Sequence, residues 1–296
     1  NVRKYIDLKP VGEYNFKQHI KPIGTFFAMA CATTIYTNLD TVMLGFMKTD
    51  ADVGYYNAAV KIKNILVSIV TSLGTVLLPR ASYYIENGFM KEFERITKKA
   101  LSFVFLIASP LILYFMLYAK EGILFLSGNA YKASILPMRI IMPTLLFIGS
   151  TNVLGIQMLV PLGKEKVVLY SELAGAIADV VINGLLIPGF ASAGAAIGTL
   201  VAEFVVLVVQ YTALKDDVTE TIKQICYGKI AIALVSGTAA SIWVKLLGLG
   251  SFLTLVVSAI LFFGVYGIYL LICREEIVVD ICNMMVRKIE SIKKSL

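Results

Sequence analysis

Apolar residues gather along this chain in eight long blocks with short polar connections between them. A spanning helix needs roughly 20 mostly apolar residues, and each block is near that length. The blocks run over Ile23–Met47, Val53–Leu78, Ala100–Tyr118, Ser134–Leu159, Val167–Ile187, Ala193–Leu214, Ile230–Leu247 and Phe252–Cys273. The pattern predicts an all-α, polytopic transmembrane helical bundle of about eight spans. The first, second and fifth blocks contain ionisable residues and are less hydrophobic than plain lipid anchors.

The polar positions inside these blocks are periodic. In the first, Thr34, Asn38, Thr41 and Gly45 share one face, with Thr33, Thr37 and Asp40 in the adjacent row. In the second, Asn57, Lys61, Asn64, Ser68 and Thr75 keep the same period, while Lys63 lies off it and reads as a snorkelling or loop-facing lysine. Arg139, Pro143 and Ser150 are broadly co-facial in the fourth, with Gln157 two turns on. Glu172, Asp179 and Asn183 form a stripe with Gly175 and Ala176 in the fifth. Ionisable groups in a bilayer normally face a bundle interior or a water-filled cavity. The expectation is an aqueous central cavity between four helices; the other reading is that these groups only bond helices together. Lys61 and Arg139 need a counter-charge, which Asp40, Asp179 or an anionic substrate can supply. Glu203 in the sixth block reads as a packing residue. Gly194, Gly198 and Ala202 form a small-residue row that lets helices approach closely. Pro143, deep in a span, marks a bend.

Composition and charge sharpen this. Apolar residues make up 58% and charged ones 16% of the chain, against about 25% charged in a soluble domain. There is too little polar surface to coat a soluble globule. The net charge of +7 would raise nucleic acid as a partner of a soluble protein; here it reads as orientation. With the N-terminal segment on the cytoplasmic side, twenty of the 27 Lys and Arg residues fall in cytoplasmic connections and four outside. The remaining three, Lys61, Lys63 and Arg139, lie within spans. That alternation supports both ends being cytoplasmic. The tail Arg274–Leu296 places Ile277, Ile281, Met284, Met285, Ile289 and Ile292 at helical spacing; it reads either as a helix on the inner leaflet or as a solvated tail. Cys31, Cys226, Cys273 and Cys282 show no metal-ligand spacing and read as unpaired thiols. The one histidine, His19, precedes the first block. No catalytic or nucleotide-binding motif is present, so no enzyme activity, metal or cofactor is expected. Transport would draw on a gradient, with protons or sodium as candidate coupling ions.

Several segments carry a family resemblance. TIYTNLDTVML (Thr34–Leu44), VGYYNAAVKI (Val53–Ile62), LLPRASYYIENG (Leu77–Gly88), PLGKEK (Pro161–Lys166) and GAAIGTLVAEF (Gly194–Phe204) together resemble the polysaccharide flippases of the Wzx type. These belong to the superfamily that includes multidrug-and-toxin extrusion (MATE) transporters and the lipid II flippase. The resemblance implies a two-lobed fold of which this chain looks like the C-terminal portion. Residues 1–21 would be the cytoplasmic linker between lobes and 22–214 the C-terminal lobe of six spans. Residues 215–273 would be two additional spans, and 274–296 a basic amphipathic cytoplasmic tail. About six N-terminal helices would be missing, leaving the chain inactive alone. The implied partner is undecaprenyl-pyrophosphate-linked oligosaccharide, flipped from the inner to the outer leaflet of a bacterial plasma membrane by alternating access. Lys61 and Arg139 would then face the pyrophosphate, Asn38, Asn57 and Asn64 the sugar hydroxyls. Asp40 and Asp179 would carry a coupling ion or hold the arginine. A cation-coupled drug exporter or a lipid II flippase of the same superfamily are the alternatives. A membrane glycan polymerase or ligase is disfavoured by short outer connections that carry no histidine.

Overall fold

The structure, a computed structural model, describes residues 17–279. The first sixteen residues of the expected linker lie outside the described residues, as do Cys282 and the tail from residue 280 on. Every regular element among the described residues is helical.

Helix α1 (Lys17–Met47) is followed after two residues by α2 (Asp50–Glu86). Thr49 starts α2 with a capping box: its hydroxyl accepts from the Asp52 amide, and the Asp52 carboxylate accepts from the Thr49 amide, both at 3.3 Å. Two acidic residues in that first turn, Asp50 and Asp52, also suit the positive end of the helix dipole. Helix α3 (Met90–Leu117) returns, and the short α4 (Ala119–Ser127) and a 3₁₀ turn (Asn129–Ser134) lead into α5 (Ile135–Ile141) and α6 (Thr144–Thr151). Between the stretches Asn129–Ile141 and Thr144–Leu159 the path bends by 48°, at the position of Pro143. Asn152–Leu159 continues α6 as a π-helical stretch. Then come α7 (Glu165–Ala213), α8 (Lys215–Lys223), α9 (Tyr227–Ser241) with a 3₁₀ extension (Ile242–Leu247), and α10 (Ser251–Ile272).

Helix α7 is 49 residues long, but it is not one rod. Ala191 leaves the helical region, with φ 47° and ψ −126°, just after Pro188 and Gly189. Residues 186 and 194 would stand about 12 Å apart on a straight helix. Here a Cβ on Gly194 would lie 2.7 Å from the Leu186 carbonyl, and one on Gly198 would strike the Asn183 side chain. The chain therefore doubles back into two antiparallel arms, 165–190 and 192–213. The small-residue row of the second arm is what lets the arms meet. At the tip, Lys48 from the α1–α2 turn donates to the Pro188 carbonyl at 2.7 Å, satisfying a carbonyl that the break leaves without a helical partner.

By length and composition, four described helices can cross a membrane: α3, α7, α9 with its extension, and α10. Six can when bent α2 and the bent path from Asn129 to Leu159 each count as one span. The expected figure of about eight differs for two reasons. Helix α7 carries two apolar blocks in one element, and α1 falls short of the threshold because Thr33, Thr34, Thr37, Asn38 and Asp40 dilute its apolar run.

The main core fills the space among α2, α3, α5, α6 and α7 with fully buried Leu44, Leu101, Met138, Ile141, Leu145 and Ile187. A second cluster, Tyr114, Tyr118 and Phe262, joins α3 to α10. There tyrosine hydroxyls end on neighbouring backbone carbonyls: Tyr118 on Ser241 at 2.7 Å, Tyr114 on Leu255 and Tyr266 on Leu106 at 2.8 Å. A buried phenol needs such a partner, so these bonds fix α9 and α10 on α3.

The hairpin gives a direct test. Gly194→Leu forces a side chain into the opposite arm and should cost about 1–3 kcal/mol, read as a lower unfolding temperature of the purified protein in detergent. Gly184→Ala is the control, because a Cβ there meets nothing within 4 Å. Equal unfolding temperatures for the two variants would refute the fold-back of α7.

Candidate functional site

The polar centre of the molecule is built on Asp40 of α1, which is 3% exposed. Its Oδ2 accepts from the Tyr56 hydroxyl of α2 at 2.6 Å and from the Thr199 hydroxyl of the second α7 arm at 2.9 Å. Its Oδ1 accepts from Asn183 Nδ2 of the first arm at 2.7 Å. Tyr56 and Thr199 also touch through their hydroxyls at 2.8 Å. One carboxylate thus collects three donors from three directions. One helical turn before Asn183 on the first arm, Asp179 is 0% exposed, and among the described residues neither of its carboxyl oxygens has a hydrogen-bond partner. The Asn183 Oδ1 is likewise buried and unpartnered. A fully buried carboxylate without a donor is rare and costly. Three buried oxygen acceptors lie together here without a hydrogen to share: an arrangement that suits a proton or a small hard cation. No group of three His, Cys, Asp or Glu side chains is arranged as a metal site among the described residues; amide and hydroxyl oxygens would have to complete any such site.

Beside this centre lies a half-open cavity of about 370 Å³ between α1, α2, the π-helical stretch and both arms of α7. Lys63 enters it from α2, Glu172 and Glu203 from the two arms, and Asn64, Asn152 and Gln210 add amides. Lys63 is only 9% exposed, and it shares the cavity lining with Glu172 and Glu203. Glu172 accepts from the Thr33 hydroxyl at 2.8 Å. Gln210 donates to the Ser171 hydroxyl at 3.0 Å, leaving its own Oε1 buried without a partner. One lysine, Lys63, thus shares this cavity with two carboxyl groups, Glu172 and Glu203, beside the Asp179–Asp40 centre.

The sequence-derived residues divide between two faces. Asp40, Asp179 and Asn183 come together as their stripes anticipated. Asn38, Lys61 and Arg139 do not join them; all three are exposed on the surface of the chain. Asn57 is half-buried and accepts from Thr41 at 3.3 Å, which joins the α1 and α2 stripes into one surface. Asn64 is exposed at the rim of the cavity. Among the described residues neither Lys61 nor Arg139 forms an ion pair with Asp40 or Asp179, so the expected counter-charge pairing is not made. Thr75 belongs to the same stripe by sequence, but its side chain lies outside the described residues.

Lys63 is the main correction. It is a buried cavity lysine, not a snorkelling or loop-facing one, and Glu203 is a cavity carboxylate rather than a packing residue. Helix α2 buries the row Tyr56, Ala59, Lys63, Leu66 and Val70 and turns Lys61, Asn64 and Ser68 outward. The sequence signal for this is a single cation on the apolar face of an amphipathic helix. It is outweighed by the expectation that the polar stripe points into the chain.

This arrangement can be set beside known proteins. A family model described as a polysaccharide biosynthesis protein matches residues 7–136, from before α1 into α5. Two proteins named for O-antigen transport are similar. One from Escherichia coli K12 is 27% identical over 61% of this chain and 43% of its own length. One from Shigella dysenteriae is 24% identical over 66% and 48%. An uncharacterized membrane protein of Methanocaldococcus jannaschii is 25% identical over 82% of this chain and 48% of its own. The chain thus spans about half the length of the curated relatives it matches. The structure aligns with a lipid II flippase in an inward-closed conformation at a TM-score of 0.70 and 14% identity, over 90% of this chain and 57% of that one. That last likeness is one of fold. With the apolar helices, the partial family match and the similar proteins, it marks the chain as a multi-pass membrane protein that resembles polysaccharide transporters in sequence over part of its length and a flippase in fold.

Proposed function

We propose that this chain forms one lobe of a two-lobed transporter. It would flip undecaprenyl-pyrophosphate-linked oligosaccharide repeat units from the inner to the outer leaflet of a bacterial plasma membrane, for cell-surface polysaccharide assembly. The observation that carries this reading is the polar face of α1 and α2. Thr34, Thr37, Asn38, Lys61, Asn64 and Ser68 are exposed at positions within apolar blocks. Such groups are too costly to leave against lipid tails. They call for water or a second lobe opposite them, with a polar passage between. The cavity of Lys63 opens beside the same face, since Thr33, Thr37 and Asn64 belong to its lining.

The chemistry of the implied substrate fits this face. A pyrophosphate loses its hydration on entering a low-dielectric passage and needs cations to offset that. Lys61 and Arg139 stand exposed and able to supply them, and Lys63 lies deeper, in the cavity it shares with Glu203. Asn38, Asn57 and Asn64 carry the amide donors and acceptors that sugar hydroxyls require. Asp40 and Asp179 would take up a coupling proton or sodium ion, with Asn183 as a further oxygen ligand. Release of that ion would leave carboxylates that repel each other in the bundle and so favour a different packing of α1 against α7. The proposed activity is transport, with no bond made or broken by the protein.

Export of surface polysaccharide by cells carrying the full-length transporter tests the anion path. Lys61→Ala, Arg139→Ala and Lys63→Ala should each lower export by about tenfold or more, as expected where an anion loses a close cation, and Lys63→Arg should retain part of it. Unchanged export in all three alanine variants would sink the reading. A separate measurement addresses the coupling site. Asp179→Asn replaces an unpartnered buried carboxyl group with an amide that supplies a donor beside Asn183 Oδ1, so it should raise the unfolding free energy by about 1–3 kcal/mol while abolishing transport. An Asp179→Asn variant that is destabilised and still transports would show Asp179 to be structural.

A further inference from the structure

A second cavity, of about 400 Å³, lies away from the carboxylate centre, where the start of α3, the start of α9 and the end of α10 converge. Five cations line it: Arg95, Lys98 and Lys99 from α3, Lys229 from α9, and Arg274 after α10. Two carboxylates of the same lining oppose them. Glu276 pairs with Lys99 at 3.4 Å, and Glu275 approaches Lys229 at 4.0 Å. Lys98 donates to the neutral Gln224 at 2.7 Å. Among the described residues Arg95, Lys98 and Arg274 have no ion-pair partner, so the cavity keeps a net positive charge. The start of α9 adds to this: Cys226 at its N-cap makes no side-chain cap bond, so the positive end of the helix dipole carries no capping side chain beside the cavity.

The setting is interfacial. Arg95, Lys98 and Lys99 immediately precede the apolar block of α3, and Arg274 immediately follows that of α10. It is the end of the bundle that the charge asymmetry assigns to the cytoplasm. The floor is apolar, with Leu106, Ile230 and Ile277. On the outer side Leu271 and Ile272 of α10 and Ile232 of α9 are exposed. A ligand here meets cations at the aqueous end and a hydrocarbon surface below them. Free phosphate would use only the first of these.

From this we infer that the cavity binds the phosphate of an anionic phospholipid head group, with the acyl chains lying along α9 and α10. The lipid would fill the seam between the six-block unit and the final helix pair, beyond the last of the tyrosine contacts, Tyr266 on the Leu106 carbonyl at the cavity floor. The inference is independent of the transport reading and of the carboxylate centre. It rests on the cation excess, the open helix start and the apolar floor, which a purely structural ion-pair network would not need together.

Retention of lipid by the purified full chain, measured by native mass spectrometry after exchange into mixed phosphatidylglycerol and phosphatidylcholine micelles, tests it. The unmodified protein should retain phosphatidylglycerol in preference. Lys229→Gln should lower that retention about fivefold, and Arg95→Gln with Lys98→Gln by about that factor for each cation removed. Lys164→Gln with Lys166→Gln, exposed at the N-cap and in the first turn of α7, should leave it unchanged. Unfolding temperatures in phosphatidylcholine alone, equal across variants, establish that the substitutions are folded; either cavity variant then decides. Equal retention of the two lipids, equal loss in the Lys164 and Lys166 variant, or displacement of the lipid by inorganic phosphate at constant ionic strength would each overturn the assignment.

Discussion

The carboxylate of Asp40 takes hydrogen bonds from Tyr56, Asn183 and Thr199, and those three residues come from α2 and from the two arms of α7. Bonds to a charged acceptor are worth about 1.5–3 kcal/mol each, more than most neutral contacts. In a bundle embedded in lipid, where helices gain little from burying apolar surface against one another, such a junction decides which helices are neighbours. It works only because α7 folds back. Asn183 and Thr199 lie on opposite arms, and they reach one carboxylate because Gly194 and Gly198 let the arms touch. A side chain at either glycine would push Thr199 away from Asp40 and undo the junction.

The junction also explains why charge accumulates beside it. Asp40 is satisfied by neutral donors, and Lys63 shares the space beside it with Glu172 and Glu203. Asp179, with no hydrogen-bond donor among the described residues, is left as a buried carboxyl group that the fold tolerates rather than uses. Stability alone does not account for such a group. Its position between α1 and the α7 hairpin suits it to the proposed cycle: occupied by a proton or cation it would hold the helices together, and vacated it would drive them apart. The cavity of Lys63 shares Glu203 with this centre, so a change in one is felt in the other.

The bundle is thus two-sided. Toward α3 and α5 it has an apolar core like that of any helical protein. Toward the exposed side of α1 and α2 it presents amides, hydroxyls and Lys61, which lipid cannot solvate. The last two helices attach on α3 through tyrosine hydroxyls seated on backbone carbonyls, and leave a basic cavity at the other end of that seam. The two sites are chemically distinct. One mixes acids and bases inside the bundle, and the other is a cationic pocket at the membrane boundary.

Hydropathy and periodicity by themselves determined a great deal here. The eight apolar blocks coincide with helical stretches, the bend falls at Pro143, and the stripes of Asp40, Asp179 and Asn183 do converge. These features follow from local rules: backbone groups in lipid must bond within their own helix, and residues three and four apart share a face. Which face turns inward is not local. A polar stripe on a membrane helix points to water, to another helix or to another lobe, and the sequence treats these alike. Only the tertiary structure decided that Lys63, not Lys61, is enclosed with Glu203 and Asp40. Only it showed that α7 closes on itself at Ala191, and that cations from three separate connections share one cavity. Each of these depends on which helices pack together, and that choice was made by Asp40 and the glycines of α7 rather than by any single helix.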